Sequence, residues 1–148
     1  MNHNTLIARM NADTVSKVAS LEELCFSSPW SEESLREILD RPEFLYITLC
    51  EGGKLLGYCG VYFAADEANI TNIAVHPTAR NRGLAKQLLS EIISEATQRS
   101  AASVYLEVRI SNTVARHVYE QCGFTLAGIR KGFYDKPKED GCVYVYRI

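Results

Sequence analysis

Long apolar runs are missing from this chain. No stretch approaches the roughly 20 residues of a membrane-spanning helix, and the opening MNHNTLIARMNADT lacks a secretory leader pattern. Paired cysteine motifs are missing too. Cys25, Cys50, Cys59, Cys122 and Cys142 are odd in number, widely spaced and never arranged as C-x-x-C. That disfavours a disulfide framework and a zinc centre alike. Reduced thiols, mostly small core residues, are expected in a cytoplasmic protein without a membrane partner. The three histidines (His3, His76 and His117) are not positioned by any motif to activate a cysteine. Basic excess is absent: 16 Lys and Arg face 18 Asp and Glu, for a net charge of -2. Nucleic acid bound through bulk charge is therefore not expected. Linkers, repeats and low-complexity segments are absent as well, so the 148 residues read as one domain, 1–148.

What is present is an ordinary globular composition, 47 % hydrophobic and 23 % charged, with clear periodicities. Leu6 to Met10 alternates weakly, as a first strand. Asp13 is placed to cap a helix reaching about Cys25, with Val15, Val18, Ala19 and Leu21 inside. Ser27-Ser28-Pro29-Trp30 breaks it, and Trp30 reads as a core or staple aromatic. Ser31 caps a second helix that ends near Arg41-Pro42. FLYITLC (44–50) and LLGYCGVYFA (55–64) flank a Glu51-Gly52-Gly53-Lys54 hairpin turn. Gly57 and Gly60 mark bulges or close backbone approach. A strand over 69–75 completes an antiparallel meander.

Farther on, VYLEVR (104–109) turns Val104, Leu106 and Val108 to one side and Tyr105, Glu107 and Arg109 to the other. Ser111-Asn112 opens a helix with Val114, Ala115, Val118, Tyr119 and Cys122 on one face, closed by Gly123. FTLAGIRKGFY (124–134) and CVYVYRI (142–148) read as a hairpin joined by DKPKEDG. The order predicts an α/β domain of the α+β type around a central sheet.

The densest signal lies in NITNIAVHPTARNRGLAKQLLSEIISEATQ, 69–98. A β-branched strand ends at His76-Pro77, a turn follows, and Leu84, Leu88, Leu89, Ile92, Ile93 and Ala96 then recur on one helical face. A helix start offers unpartnered N–H groups and partial positive charge. Gly83 lets a bulky anion approach the backbone, and Arg80, Arg82 and Lys86 add full charges, which together suit a pyrophosphate. The pattern Arg80-x-x-Gly83-x-Ala85 is neither a dinucleotide fingerprint nor a P-loop. A helix with a glycine near its N-cap and solvated cations accounts for the same residues.

NIAVHPTARNRGLAKQLL resembles the acetyl-CoA motif of the GNAT acetyltransferases, Q/R-x-x-G-x-G/A. LEVRISNTVARHVYEQCGF and FSSPWSEESL resemble the RimI group, the N-terminal-alanine acetyltransferases of a ribosomal protein. The likeness spans nearly the whole chain. It implies a mostly antiparallel sheet that splays between the strands at 70–75 and 104–109, leaving an acetyl-CoA cleft flanked by helices. It also implies acetyl-CoA as co-substrate with no metal, and direct transfer in a ternary complex to a ribosomal-protein N-terminus of the small subunit. A lysine side chain or a small amine as acceptor, or a non-catalytic CoA sensor, stand as alternatives; a monomer is the default.

Residue roles divide in the same way. Taken alone, Glu107 is half of a surface pair with Arg109; the resemblance makes it the base, acting through water. Tyr119 alone is a core tyrosine whose hydroxyl finds a partner; the resemblance makes it the acid for the leaving thiolate. Asn112 is an N-cap that the resemblance also places on the pantetheine arm. By the same resemblance, Ile73, Ala74 and Val75 pair their backbone with the pantetheine amides, and the Val75 N–H is the oxyanion donor. Asn81, Arg82, Gly83, Leu84, Ala85 and Lys86 hold the pyrophosphate, with Ala85 where many relatives have glycine. Trp30, Tyr134 and DKPKEDG flank the acceptor groove.

Overall fold

A computed structural model describes residues 5–148; the opening MNHN, His3 included, lies outside the described residues. In chain order the elements are β1 (Thr5–Arg9), α1 (Val15–Cys25), α2 (Glu32–Glu37), β2 (Phe44–Glu51), β3 (Lys54–Ala64), β4 (Glu67–Val75), α3 (Leu84–Gln98), β5 (Ser103–Arg109), α4 (Thr113–Gln121), β6 (Thr125–Tyr134) and β7 (Glu139–Arg147). A short 3-10 turn, Pro77–Ala79, precedes α3. The seven strands form one sheet in the order β1-β2-β3-β4-β5-β7-β6. Every neighbouring pair is antiparallel except β4 and β5, which α3 connects as a parallel crossover.

Period-two alternation sends the strand side chains into two cores. Leu45, Ile47 and Leu49 of β2 meet Leu84, Leu88, Leu89 and Ile92 of α3 on one face. Tyr46 of β2 and Tyr58 of β3 meet Val15, Val18, Leu21 and Leu35 on the other. Leu88, Leu89 and Ile92 are fully buried, each stabilising the fold by about 1.5–3 kcal/mol. Cys59 and Cys142 are buried, the other three cysteines are half-buried, and all five are free thiols.

Several local expectations shift. Asp13 does not cap α1: the Asn11 carboxamide oxygen accepts from the backbone N–H groups of Asp13 and Thr14 at 2.8 and 3.2 Å, because an Asx side chain satisfies donors two and three residues ahead. Ser31 does cap α2, its hydroxyl accepting from the Ser34 N–H, but that helix ends at Glu37. β7 begins at Glu139 rather than Cys142. Val114 is 74 % exposed, so the apolar face of α4 is not all core.

β4 is irregular in two places. Its register against β3 slips between Gly60 and Val61, leaving Thr71 as an extra, bulged residue just before Ile73. Its pairing with β5 covers Glu67↔Ser103, Ala68↔Val104 and Asn69↔Tyr105 and then stops. From Ile70 onward the β5-facing edge of β4 has no strand partner among the described residues.

Candidate active site

Where β4 and β5 part, a cleft of about 810 Å³ opens. Ile73, Ala74 and Val75 of β4 line one side of it, and Asn112, Ala115, Val118 and Tyr119 line the other. Val114 lines it as well, so the exposed apolar stripe of α4 is a cleft wall. The unpaired edge of β4 leaves backbone donors and acceptors for an extended ligand to complete, as an added strand would. The Asn112 side chain accepts from the Ala115 N–H at 3.2 Å, making it the N-cap of α4 while it faces the cleft.

The start of α3 closes the far end. Gly83 is its N-cap, at φ 74° in the left-handed region, and a Cβ placed there would meet nothing within 4 Å. Among the described residues no side chain caps the helix, and its first turn carries no acidic residue. The N–H groups of Leu84, Ala85 and Lys86 therefore face the cleft without competition, beside the Lys86 ammonium. Asn81 lines the same end. Arg82 does not: its guanidinium pairs with Glu51 at 2.6 Å. Arg80, read from the sequence as the first position of the Arg80-x-x-Gly83-x-Ala85 pattern and a nearby charge, lines the cleft and donates from Nε to the Val75 carbonyl at 3.3 Å. Cys25 and Phe26 line it too; Phe26 opens the quoted FSSPWSEESL stretch, whereas no sequence pattern marked Cys25, because its contact is with Val75 of β4 across the fold.

Glu107 stands on β5 outside that lining. The expected pair with Arg109 does not form. Arg109 instead bonds Glu139 at 3.2 Å and donates to the Pro137 and Asp135 carbonyls at 2.8 Å each. It also lies 4.6 Å over the Tyr134 ring. These contacts tie the β6–β7 turn to β5. Glu107 has one long ion pair, 3.6 Å to Arg130 Nε, and its Oε2 is buried with no hydrogen-bond partner among the described residues. Tyr134 is half-buried, and burial foremost, with the Glu107 charge second, pushes its phenol up to about 12.

Tyr119 is only 7 % exposed and packs on Phe124 and Tyr144, ring centres 6.3 Å away in each case. No hydrogen bond of the described residues involves its hydroxyl, contrary to the expectation for a core tyrosine. Burial raises its pKa well above the ordinary value. Trp30 lies off the cleft, its ring 6.2 Å from that of Tyr46. Among the described residues there is no group of three His, Cys, Asp or Glu placed to hold a metal, and no helix is long and apolar enough to cross a membrane.

The sequence pattern of the acetyltransferase (GNAT) family matches residues 15–124. The chain belongs to the GNAT family of acetyltransferases. This GNAT enzyme is thus an acyltransferase, and its mixed, mostly antiparallel sheet opening beside β4 is the fold of that family. A relative from Bacillus subtilis (strain 168) is 33 % identical over 144 residues, 97 % of this chain and 95 % of that one. The ribosomal protein bS18-alanine N-acetyltransferase of Escherichia coli (strain K12) is 36 % identical over 121 residues, 82 % of this chain and 80 % of that one. The crystal structure of the ribosomal-protein-S18-alanine N-acetyltransferase from Escherichia coli matches with a TM-score of 0.89 at 30 % identity, covering 97 % of this chain and 94 % of that one.

Proposed function

We propose that this GNAT enzyme acetylates the N-terminal alanine of a small-subunit ribosomal protein, by direct transfer from acetyl-CoA in a ternary complex. The observation that carries the reading is the cleft itself: an unpaired β4 edge that runs into an uncapped helix N-terminus, with a carboxylate of incomplete hydrogen bonding on the adjoining strand. The bS18-alanine N-acetyltransferase relatives support the choice of acceptor.

The cleft residues fit acetyl-CoA, which supplies an activated acetyl group and a thiolate leaving group. Asn81, Gly83, Leu84, Ala85 and Lys86 hold the pyrophosphate through backbone N–H groups and the Lys86 charge. Arg80 braces the Val75 end, while Arg82 is held away from the pyrophosphate in its ion pair with Glu51. Ile73, Ala74 and Val75 pair with the pantetheine amides, Asn112 bonds the same arm, and the Val75 N–H donates to the carbonyl oxygen as it gains charge. Glu107 takes the proton of the attacking amine through water. An α-amine titrates near 8, so a carboxylate in the right place suffices. Tyr119 gives its proton to the thiolate. Its raised pKa keeps it protonated, and the same burial raises the proton affinity of the thiolate facing it. One C–S bond breaks and one C–N bond forms; of the two protons that the ammonium form loses, one passes through Glu107 and water to solvent, and the other, carried by water, replaces the proton that Tyr119 gives to the CoA thiolate.

Trp30, Tyr134 and the 135–141 segment, the β6–β7 turn with the start of β7, flank the acceptor. The chemistry requires no metal, and the substrate implies a cytoplasmic enzyme, taken as a monomer that contacts neither nucleic acid nor membrane. Mass spectrometry of peptides incubated with acetyl-CoA and the protein tests the reading. Acetylation confined to free N-termini of Ala-first peptides is expected. Modification of internal lysine alone, or of small amines alone, discards the acceptor, and CoA binding without any transfer favours a sensor.

A further inference from the structure

Glu22 is a buried carboxylate that this reaction leaves unused. Its residue is 0 % exposed, and a charge so placed persists only when its oxygens are satisfied. Its three donors come from three different segments. Oε1 accepts from the Trp30 backbone N–H at 2.8 Å. Oε2 accepts from the Tyr58 hydroxyl of β3 and from Asn72 Nδ2 of β4 at 2.9 Å. One helical turn after Glu22, Cys25 and Phe26 line the cleft, and the residue after Asn72 is Ile73, which lines it from β4. A single side chain thus joins α1, the loop after it, and the strand beneath the cleft, beside the bulge at Thr71.

A purely structural clamp does not need a charge here, since well-packed apolar residues commonly replace a buried ionic group without loss of stability. What the carboxylate adds is geometry: two oxygens that fix the Trp30 backbone at a set distance from β4. We infer that Glu22 is a positioning residue, holding the 26–31 loop against β4 so that it forms a ready-made wall for the acceptor. The inference rests on the proposed N-terminal-alanine acceptor. Acetyl-CoA is held by the β4 edge, α3 and α4; of these Glu22 touches only β4, through the Asn72 side chain, and the β3 ladder holds the β4 backbone independently, so acceptor and co-substrate respond differently to its loss.

Trp30 is the sole tryptophan, so its fluorescence reports the loop directly. Glu22→Gln keeps the size and the acceptor for Trp30 but turns an amide donor toward Asn72 Nδ2. The expected result is a KM for an Ala-first peptide raised about fivefold to tenfold, the range set by losing one hydrogen bond. Acrylamide quenching of Trp30 increases alongside, while acetyl-CoA affinity by calorimetry stays within about twofold, a change worth less than one hydrogen bond. Tyr58→Phe, which removes one donor and keeps the ring, moves peptide KM and quenching the same way; it carries the test if the Gln variant does not fold. A folded variant with unchanged peptide KM overturns the proposal. So does one that loses acetyl-CoA affinity in parallel with peptide affinity, which marks general loosening. Wild type run alongside separates the two readings. If wild type leaves the peptide N-terminus free, the proposed function falls and the acceptor wall with it. If wild type is active and the variant equals it, only the role of Glu22 falls.

Discussion

Glu107 and Tyr119 are both held with fewer bonds than their polar atoms allow. Glu107 has one contact at 3.6 Å to a guanidinium that is itself 59 % exposed, so removing its charge costs the fold about 0–1 kcal/mol. Glu107→Gln is expected to lower kcat about 10²-fold or more with the melting temperature and acetyl-CoA affinity held. An unchanged kcat at saturating substrates removes Glu107 as the base. Tyr119→Phe deletes a hydroxyl that bonds nothing among the described residues, so it is expected to fold normally and to slow transfer about tenfold or more. Unfolding of that variant would make the hydroxyl structural. The pH profile carries the sign. Burial raises Tyr119 above its ordinary value, so the acid form outlasts pH 10, while the neutral amine accumulates through about pH 8. The rate is therefore expected to climb from pH 7 to 9 and level off. A fall between pH 8 and 10 that Tyr119→Phe abolishes would show instead that this tyrosine ionises within the range.

At the scale of elements, spacing made α3 legible almost to the residue, because its apolar stripe and its helix are the same periodicity. It could not tell which surface the α4 stripe meets: apolar spacing reads alike against a core or a cleft, and Val114 meets the cleft. Nor could it find the partner of Arg109, since adjacency on a strand face suggested Glu107 whereas Glu139 approaches from a neighbouring strand. The short β4–β5 pairing came from family resemblance alone, because strand composition does not encode where two strands diverge. Two glycines separate the resulting roles. A Cβ on Gly60 would enter the Tyr46 ring, which stacks on Tyr58 at 5.9 Å and bonds Thr71 at 2.9 Å. Gly60→Ala is therefore expected to cost about 1–3 kcal/mol in denaturant melts. Gly83→Ala meets open space but must adopt a left-handed φ, which costs about 1 kcal/mol. Its larger expected effect is an acetyl-CoA affinity lowered about tenfold, roughly one bond to the anion. Equal affinity in calorimetry would sever Gly83 from the pyrophosphate.

Across the whole molecule, buried and half-buried titratable side chains are held in neutral form. Tyr46, Tyr58, Tyr119 and Tyr134 all have raised pKa values, with burial the first cause each time, Tyr46 and Tyr134 reaching about 12. Burial raises the Cys59 thiol in the same way. In the unfolded chain these groups titrate near 10 for tyrosine and about 8.5 for cysteine. Above those values the unfolded state sheds protons that the native state keeps, so stability falls as pH rises. The stabilisation is complete below about pH 8.5 and is lost as pH climbs through about 12. Each fully buried tyrosine adds a slope of about 1.4 kcal/mol per pH unit above 10. The melting temperature is expected to stay level as far as the pH at which the thiol begins to ionise in the unfolded chain and to drop steeply beyond about pH 10. A melting temperature unchanged at pH 11 would mean that the buried tyrosines ionise in place and that the two cores admit water.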